Sequence, residues 1–209
     1  MNNLIVISGN IGVGKSTLVE NLSQRFFLTP VFEEALESSY LELYYNNPKK
    51  YGFYFQIEMF SRRFRNQSKN GPYKNHFIIL DRSFEEDYYI FGRAQHILGL
   101  MEDLEYMTYC NLYKQMEPFV RKPDIIIFLY CEIDCLLSRI AQRGRLCENS
   151  ISIEYLKLLN NLYQEWYKIK LKENCKIFEI KTDNLNVDQV LALSCDIINN
   201  NLKIPLYKY

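Results

Sequence analysis

Leu4-Ile5-Val6-Ile7-Ser8-Gly9-Asn10-Ile11-Gly12-Val13-Gly14-Lys15-Ser16-Thr17-Leu18 is the stretch that decides the fold. Its first half is an unbroken apolar run, as expected of a strand buried on both faces. Its second half fits G-x-x-x-x-G-K-[ST] at every fixed position, from Gly9 to Ser16. Leu18, Leu22 and Phe26 then recur at helical spacing and predict a helix from Lys15 to about Phe27. A strand, a glycine-rich turn and a helix in that order make a phosphate cradle. The glycines let backbone N–H groups face a phosphate, and the helix N-terminus adds partial positive charge. Lys15 supplies a point charge for the β- and γ-phosphates, and the Ser16 hydroxyl suits Mg²⁺. The motif predicts a nucleoside triphosphate and leaves the reaction open.

Outward from this stretch, short apolar runs alternate with longer amphipathic ones. Further strands are predicted at Val31–Glu33, His76–Leu80, Ile125–Tyr130 and Lys176–Ile180. Helices are predicted within Pro48–Arg65, over Leu100–Val120 with a stop or kink near Pro118, and over Ile133–Gln142, Glu154–Lys170 and Val187–Asn200. In Glu154–Lys170, the residues Leu156, Leu159, Tyr163, Trp166 and Ile169 form an apolar stripe, read as core or subunit contact. The expected fold is α/β, a P-loop NTPase-type five-stranded parallel sheet flanked by helices, in a single domain spanning 1–209.

The bulk properties narrow the function. Hydrophobic residues make up 48% of the 209, which permits a sizeable core and excludes global disorder. Lys+Arg 25 balances Asp+Glu 25, without the basic excess of a dedicated nucleic-acid binder. No apolar run approaches the roughly 20 residues of a membrane span. The N-terminal apolar run, Leu4–Ile7, is too short for a secretion signal, so a cytoplasmic protein is expected. Six cysteines without a C-x-x-C pair, and only two histidines, point to reduced thiols rather than a zinc site.

Two further groups carry chemistry. The apolar run His76–Leu80 ends at Asp81, as a magnesium-side carboxylate requires, and Arg82 and Ser83 follow. Arg139, Arg143 and Arg145 surround Gly144. A helix would put Arg139 and Arg143 on one face, and such a cluster needs an anion, for which the γ-phosphate is the natural choice. Gly144 fits a helix end or hinge, so a lid is expected at about 139–150. A lid keeps water from hydrolysing the triphosphate.

These residues, in this order and spacing, make the chain resemble the deoxyribonucleoside kinase family of deoxycytidine, deoxyguanosine and bacterial deoxyadenosine kinases. The match comprises Gly9–Thr17, Phe32-Glu33-Glu34, Tyr45, Asn47-Pro48-Lys49, Phe55-Gln56, Arg63, Asp81-Arg82-Ser83, Asp87, the arginine cluster, Glu148, Glu154-Tyr155-Leu156 and Trp166. The Asp-Arg-Ser form looks more like the bacterial and mycoplasmal branch. The resemblance implies that Glu33 is the base near the nucleoside 5′-hydroxyl and that Arg82 pairs with it and stabilises the transferring group. Lys15, Arg139 and Arg143 would act on the phosphates, and Asp81 would act on Mg²⁺ through water. It further implies that Tyr45 and Glu148 bind the sugar 3′-hydroxyl, that Gln56 reads the base edge, and that Arg63 and Asp87 pair facing the base. Phe55 is read equally as a nucleoside contact or as core. Arg145 and Asp183 would join Gly9–Thr17 around ATP, with Lys181-Thr182-Asp183-Asn184 beside the donor adenine.

Two departures stand out. Glu33-Glu34-Ala35-Leu36 lacks the proline usual after the base. Spacing from Tyr45 favours Glu33, a one-residue gap would favour Glu34, and only one of them can face the site. Leu146-Cys147 also replaces residues that are polar in better-known members. The expected reaction is ATP plus a 2′-deoxynucleoside giving ADP and the 5′-monophosphate, with Mg²⁺. Asp87 and Met59 rank deoxyadenosine first, then deoxycytidine and deoxyguanosine, with thymidine last. A monophosphate kinase of the thymidylate kinase type and a non-catalytic deoxynucleotide sensor are the alternatives. A GTPase is excluded by the lack of N-K-x-D. Family habit implies a homodimer through Leu100–Val120 and Glu154–Lys170, with small-molecule partners and neither nucleic acid nor membrane.

Overall fold

The computed structural model describes residues 4–33, 35–145 and 151–202. Glu34, Cys147 and Glu148 therefore lie outside the described residues, as does the far part of the expected lid, 146–150. Five parallel strands form one sheet in the order β2-β3-β1-β4-β5. β1 (Leu4–Gly9) lies at the centre and every one of its residues is buried. β3 (Ile78–Asp81) and β4 (Ile125–Tyr130) flank it, and β2 (Thr29–Val31) and β5 (Ile177–Lys181) form the edges. The register pairs Ile7 with Asp81 and Gly9 with Leu129. That pairing delivers the Asp81 carboxylate and the phosphate loop to the same edge of the sheet.

Alternation along the strands divides the core in two. Ile5, Ile7, Ile79 and Ile127 face α1 (Lys15–Phe26), α7 (Ile133–Arg143) and α9 (Val187–Asn201). Leu4, Val6, Leu80 and Phe128 face α8 (Ile153–Lys172), whose Leu159, Tyr163 and Trp166 are buried there. The predicted stripe on that helix thus belongs to the core. A third cluster joins Phe60 of α3 (Pro48–Gln67) to Tyr109 and Tyr113 of α6 (Asp103–Met116), with Phe84 between them.

Several boundaries differ from the sequence expectation, for local reasons. β2 begins at Thr29 and ends at Val31, so Glu33 lies in the loop beyond it rather than at the strand's end. Pro30 is tolerated because β2 is an edge strand. β3 starts later than His76 and includes Asp81. α1 stops at Phe26 because Phe27 turns left-handed, with φ of 53°. α6 starts at Asp103, where Glu102 and Glu105 form a capping box, and it ends ahead of Pro118 in the short 3₁₀ turn Glu117–Phe119. α8 and α9 are capped by the Ser152 and Asn186 side chains. α7 runs to Arg143 and ends at Gly144, where φ is 63°. Not predicted were α2 (Leu41–Asn46) and the helical stretch after β3: α4 (Phe84–Glu86), a π-helical turn Asp87–Gly92 and α5 (Arg93–Ile97). Among the described residues no helix is long and apolar enough to cross a membrane.

Candidate active site

A cavity of about 500 Å³ opens at the C-terminal edge of the sheet. One end is the phosphate loop. Gly9 has φ of 143°, and a Cβ there would collide with the Leu129 carbonyl, so the loop can leave the strand only with glycine. Asn10 anchors the loop to α8: its amide donates to Leu156 O at 2.9 Å and to Asn160 Oδ1 at 2.7 Å. Ile11, Gly12, Lys15 and Ser16 line the cavity, whereas Val13 packs into the core and Thr17 is exposed. Lys15 is buried and its Nζ donates to Asn10 O at 2.9 Å. Burial, reinforced by Arg82, pushes the Lys15 ammonium down to about 8.

Ser16 Oγ donates to Asp81 Oδ2 at 2.5 Å. The other oxygen, Asp81 Oδ1, is buried without a hydrogen-bond partner. An orphaned carboxylate oxygen beside a hydroxyl is a hard-oxygen donor set, which fits Mg²⁺.

Behind the phosphate loop lies a chain of charges. Arg82 Nε donates to Glu33 Oε2 at 2.8 Å, the pair expected from the sequence. Arg63 extends the chain in both directions, donating through Nη2 to Glu33 Oε1 and through Nη1 to Asp87 Oδ1. The Arg63–Asp87 pair was expected, but the Arg63–Glu33 contact was not. Burial alone would raise the Glu33 carboxyl; the Arg82 and Arg63 guanidiniums overcome it and hold Glu33 down to about 2. For Asp87, which is fully buried, burial wins over Arg63 and pushes the carboxyl up to about 7.

The far end of the cavity is aromatic and amide-lined. Gln56 Nε2 donates to Asp87 Oδ1 at 3.1 Å and to the Tyr109 hydroxyl at 3.2 Å. Met59, Phe55 and Tyr45 line the wall, as expected. Phe55 stacks on Tyr44 at 5.0 Å between ring centroids, and Gln95 Nε2 donates to the Tyr44 hydroxyl at 2.9 Å. Phe91 also lines the cavity, and its ring lies 4.5 Å from the Arg82 guanidinium. Sequence reasoning missed Phe91, Tyr44, Gln95 and Tyr109. Phe91 and Gln95 are one helical turn apart, and that spacing after Asp87 is the signal that could have found them.

The arginine cluster is divided. Arg143 and Arg145 line the cavity, but Arg139 does not. Arg139 donates to Val13 O at 3.1 Å, to Thr182 Oγ1 at 2.8 Å and to Thr182 O at 2.7 Å. It lies one helical turn from Arg143, where the carbonyls of Val13 in the phosphate loop and of Thr182 just beyond β5 accept from it. Of the three arginines, this structure thus brings Arg143 and Arg145 to the cavity and holds Arg139 apart from it. Asp183 also lies outside the cavity, its Oδ1 accepting from Glu132 N at 2.8 Å.

This geometry can hold a polyphosphate at one end and a planar polar ring at the other, with a carboxylate between them. Comparisons with known proteins agree. The sequence model for deoxynucleoside kinases matches residues 5–201. A deoxyadenosine kinase of Dictyostelium discoideum is 40% identical over 78% of this chain, which spans 65% of that protein. A deoxyadenosine/deoxycytidine kinase of Bacillus subtilis is 30% identical over 97% of this chain and 96% of its own length. The solved deoxyadenosine kinase from M. mycoides with bound dCTP superposes with a TM-score of 0.82 at 31% identity, covering 94% of this chain and 99% of that one. The same enzyme with bound dATP gives a TM-score of 0.83 at 30% identity, over 95% of this chain and 100% of that one. By motif, fold and site, the chain belongs to the deoxynucleoside kinase family.

Proposed function

We propose that the chain transfers the γ-phosphate of ATP to the 5′-hydroxyl of deoxyadenosine, accepting deoxycytidine and deoxyguanosine less well and thymidine least. The observation that carries the reading is the continuous Gln56–Asp87–Arg63–Glu33–Arg82 chain, which joins the ring-binding end of the cavity to the phosphate end. A deoxynucleoside laid along it puts its base at Gln56 and its 5′-oxygen at Glu33. Adenine first is supported by the names of the Dictyostelium and M. mycoides relatives.

Phosphoryl transfer needs positioning and charge neutralisation more than covalent help. Lys15 and Arg82 neutralise the phosphates, and Arg143 and Arg145 close the same end. Glu33, held at about 2, is too weak a base to ionise an alcohol in advance. It acts as an acceptor that aims the hydroxyl and takes its proton as the O–P bond forms, when that proton has become acidic. Ser16 and Asp81 would hold Mg²⁺, which neutralises charge on the phosphates when bound. The 3′-hydroxyl falls to Tyr45 and, outside the described residues, Glu148. Arg139 and Asp183 order the donor side from behind rather than touching the phosphates.

The protein is read as a cytoplasmic homodimer. Leu104, Met107 and Leu112 on α6 are exposed apolar residues, and α6 is one of the two helices expected to pair, the other being α8. Light scattering on the purified chain tests this.

Initial rates with Mg-ATP across the deoxynucleosides and their 5′-monophosphates test the activity, with Lys15→Ala as the blank. Deoxyadenosine should react fastest. Turnover of monophosphates alone would establish a monophosphate kinase instead, and ATP binding without any turnover would establish a sensor.

A further inference from the structure

Arg82 is held from below as well as from the cavity side. Its backbone lies in the left-handed region, with φ of 77°, where a non-glycine residue stays only if its surroundings impose it. Its N–H donates to Ile7 O at 3.1 Å. Its Nη1 donates to Gly9 O at 3.2 Å and to the Tyr163 hydroxyl at 2.6 Å. That hydroxyl has one proton, which it donates to Glu86 Oε2 at 2.6 Å. Its lone pairs are thereby turned toward the guanidinium, and the polarity of the relay is fixed.

Glu86 is fully buried. Its Oε1 accepts from Ser8 Oγ at 2.8 Å and from Ser83 N at 2.7 Å. Its Oε2 lies 3.7 Å from Arg82 Nη1. A capping box accounts for the Ser83 contact, at the start of the helical stretch that runs on through Ile97. It does not account for a carboxylate taken wholly out of water, which is costly unless paired. The cation that offsets Glu86 is Arg82.

We propose that Tyr163 and Glu86 are a positioning pair for Arg82, holding its guanidinium toward the transferring phosphoryl group. The proposal rests on the reading of Arg82 as the residue that stabilises that group. During turnover Glu33 engages the substrate hydroxyl. Gly9 O and the Tyr163–Glu86 pair are anchors of Arg82 that take no part in the reaction. A guanidinium already aimed needs no reorganisation when charge develops.

Tyr163→Phe tests this, because the ring keeps its packing against Phe128 and Trp166 while the relay is lost. The expected result is a fall in kcat of about tenfold, with KM for ATP and for the deoxynucleoside changed by less than about twofold. Arg82→Lys is measured alone and combined with Tyr163→Phe. The double variant should be no slower than Arg82→Lys alone, because the pair acts only through Arg82. Glu86→Gln keeps the shape but has one carbonyl oxygen, so it can accept on the Ser83 side or on the Tyr163 side and not on both; it also loses the charge, and should show the same kcat-only loss. Unchanged kcat in both Tyr163→Phe and Glu86→Gln, or losses that add in full to Arg82→Lys, would overturn the proposal. Wild-type turnover by Arg82→Lys would instead overturn the assignment of Arg82, a separate failure.

Discussion

Replacing Gly92 by alanine sets two physical effects against each other. Gly92 has φ of −60° and ψ of −41°, ordinary helical values. On backbone grounds alone, alanine would stabilise the fold by about 0.5–1 kcal/mol. The space argues the other way. An added Cβ would press on Tyr109 Cε1, more closely than real Cβ atoms approach, and would lie 3.0 Å from both Tyr109 Cδ1 and Asp87 O. Carbon atoms rest at about 3.5–4 Å, so the ring would have to move by roughly 1 Å. Tyr109 has little room to do so, being fully buried, with its hydroxyl held by Gln56. Overpacking costs about 1–3 kcal/mol, and a rigid buried ring puts this site at the upper end. Subtracting the propensity gain leaves a net destabilisation of about 2 kcal/mol, roughly a thirtyfold change in the folding equilibrium. Urea unfolding followed by Trp166, the only tryptophan, reads this as a lower midpoint with an unchanged slope. Because Tyr109 orients Gln56, KM for the deoxynucleoside should rise while KM for ATP stays put. A Gly92→Ala protein as stable as the wild type, or more so, would refute the reasoning, since helix propensity would then have outweighed the clash.

Three other outcomes are expected. Folding lowers the Glu33 carboxyl from 4.5 to about 2, so its ionised form contributes stability above pH 4.5 that is lost as pH falls toward 2. Glu33→Gln should therefore show a shallower loss of urea midpoint over that window than the wild type. Asp81→Asn should raise the Mg²⁺ concentration for half-maximal rate by about tenfold or more, read from rate against total Mg²⁺. Gln56→Leu should lower kcat/KM for the deoxynucleoside by about a hundredfold and leave KM for ATP nearly unchanged, because a site built to hydrogen-bond a ring edge discriminates strongly once that bond is lost.

Features set by neighbours in the chain are legible in the sequence. The phosphate loop is contiguous, and its glycines, lysine and serine have one geometric reading. The unbroken apolar run from Leu4 placed the first strand, and the stripe from Leu156 to Trp166 placed α8. What failed depended on distant partners. β2 is positioned by its pairing with β3, and no local signal in Thr29-Pro30-Val31 announces a strand. The π-helical turn Asp87–Gly92 lets Gly92 sit against Tyr109, a contact that spacing along the chain does not reveal. Arg139 and Arg143 were expected to share a face, yet one helical turn separates a residue that feeds backbone carbonyls from one that meets the cavity. Tyr109 and Tyr163 are two of 17 tyrosines, and only their partners distinguish them from ordinary core aromatics.

The bridge made by Arg63 explains why selection of the base and transfer of phosphate need not be separate events. One guanidinium touches Asp87, which the proposed binding mode sets toward the base through Gln56, and Glu33, which it sets at the 5′-oxygen. Its planar fork spans two carboxylates, which a lysine's point charge cannot do with the same geometry. Burial has pushed Asp87 to about 7, so a base that donates to it or displaces Gln56 changes how much of Arg63's charge Asp87 takes up. What Asp87 releases falls on Glu33, where Arg63 and Arg82 already act together. A base that drew Arg63 toward Asp87 would loosen its hold on Glu33 and make that carboxylate a better acceptor for the hydroxyl it aims. A poorly fitted base leaves Glu33 clamped between two cations. Discrimination among bases should therefore fall on kcat as well as on KM, and replacing Arg63 should reduce the kcat difference between deoxyadenosine and thymidine as it lowers both rates.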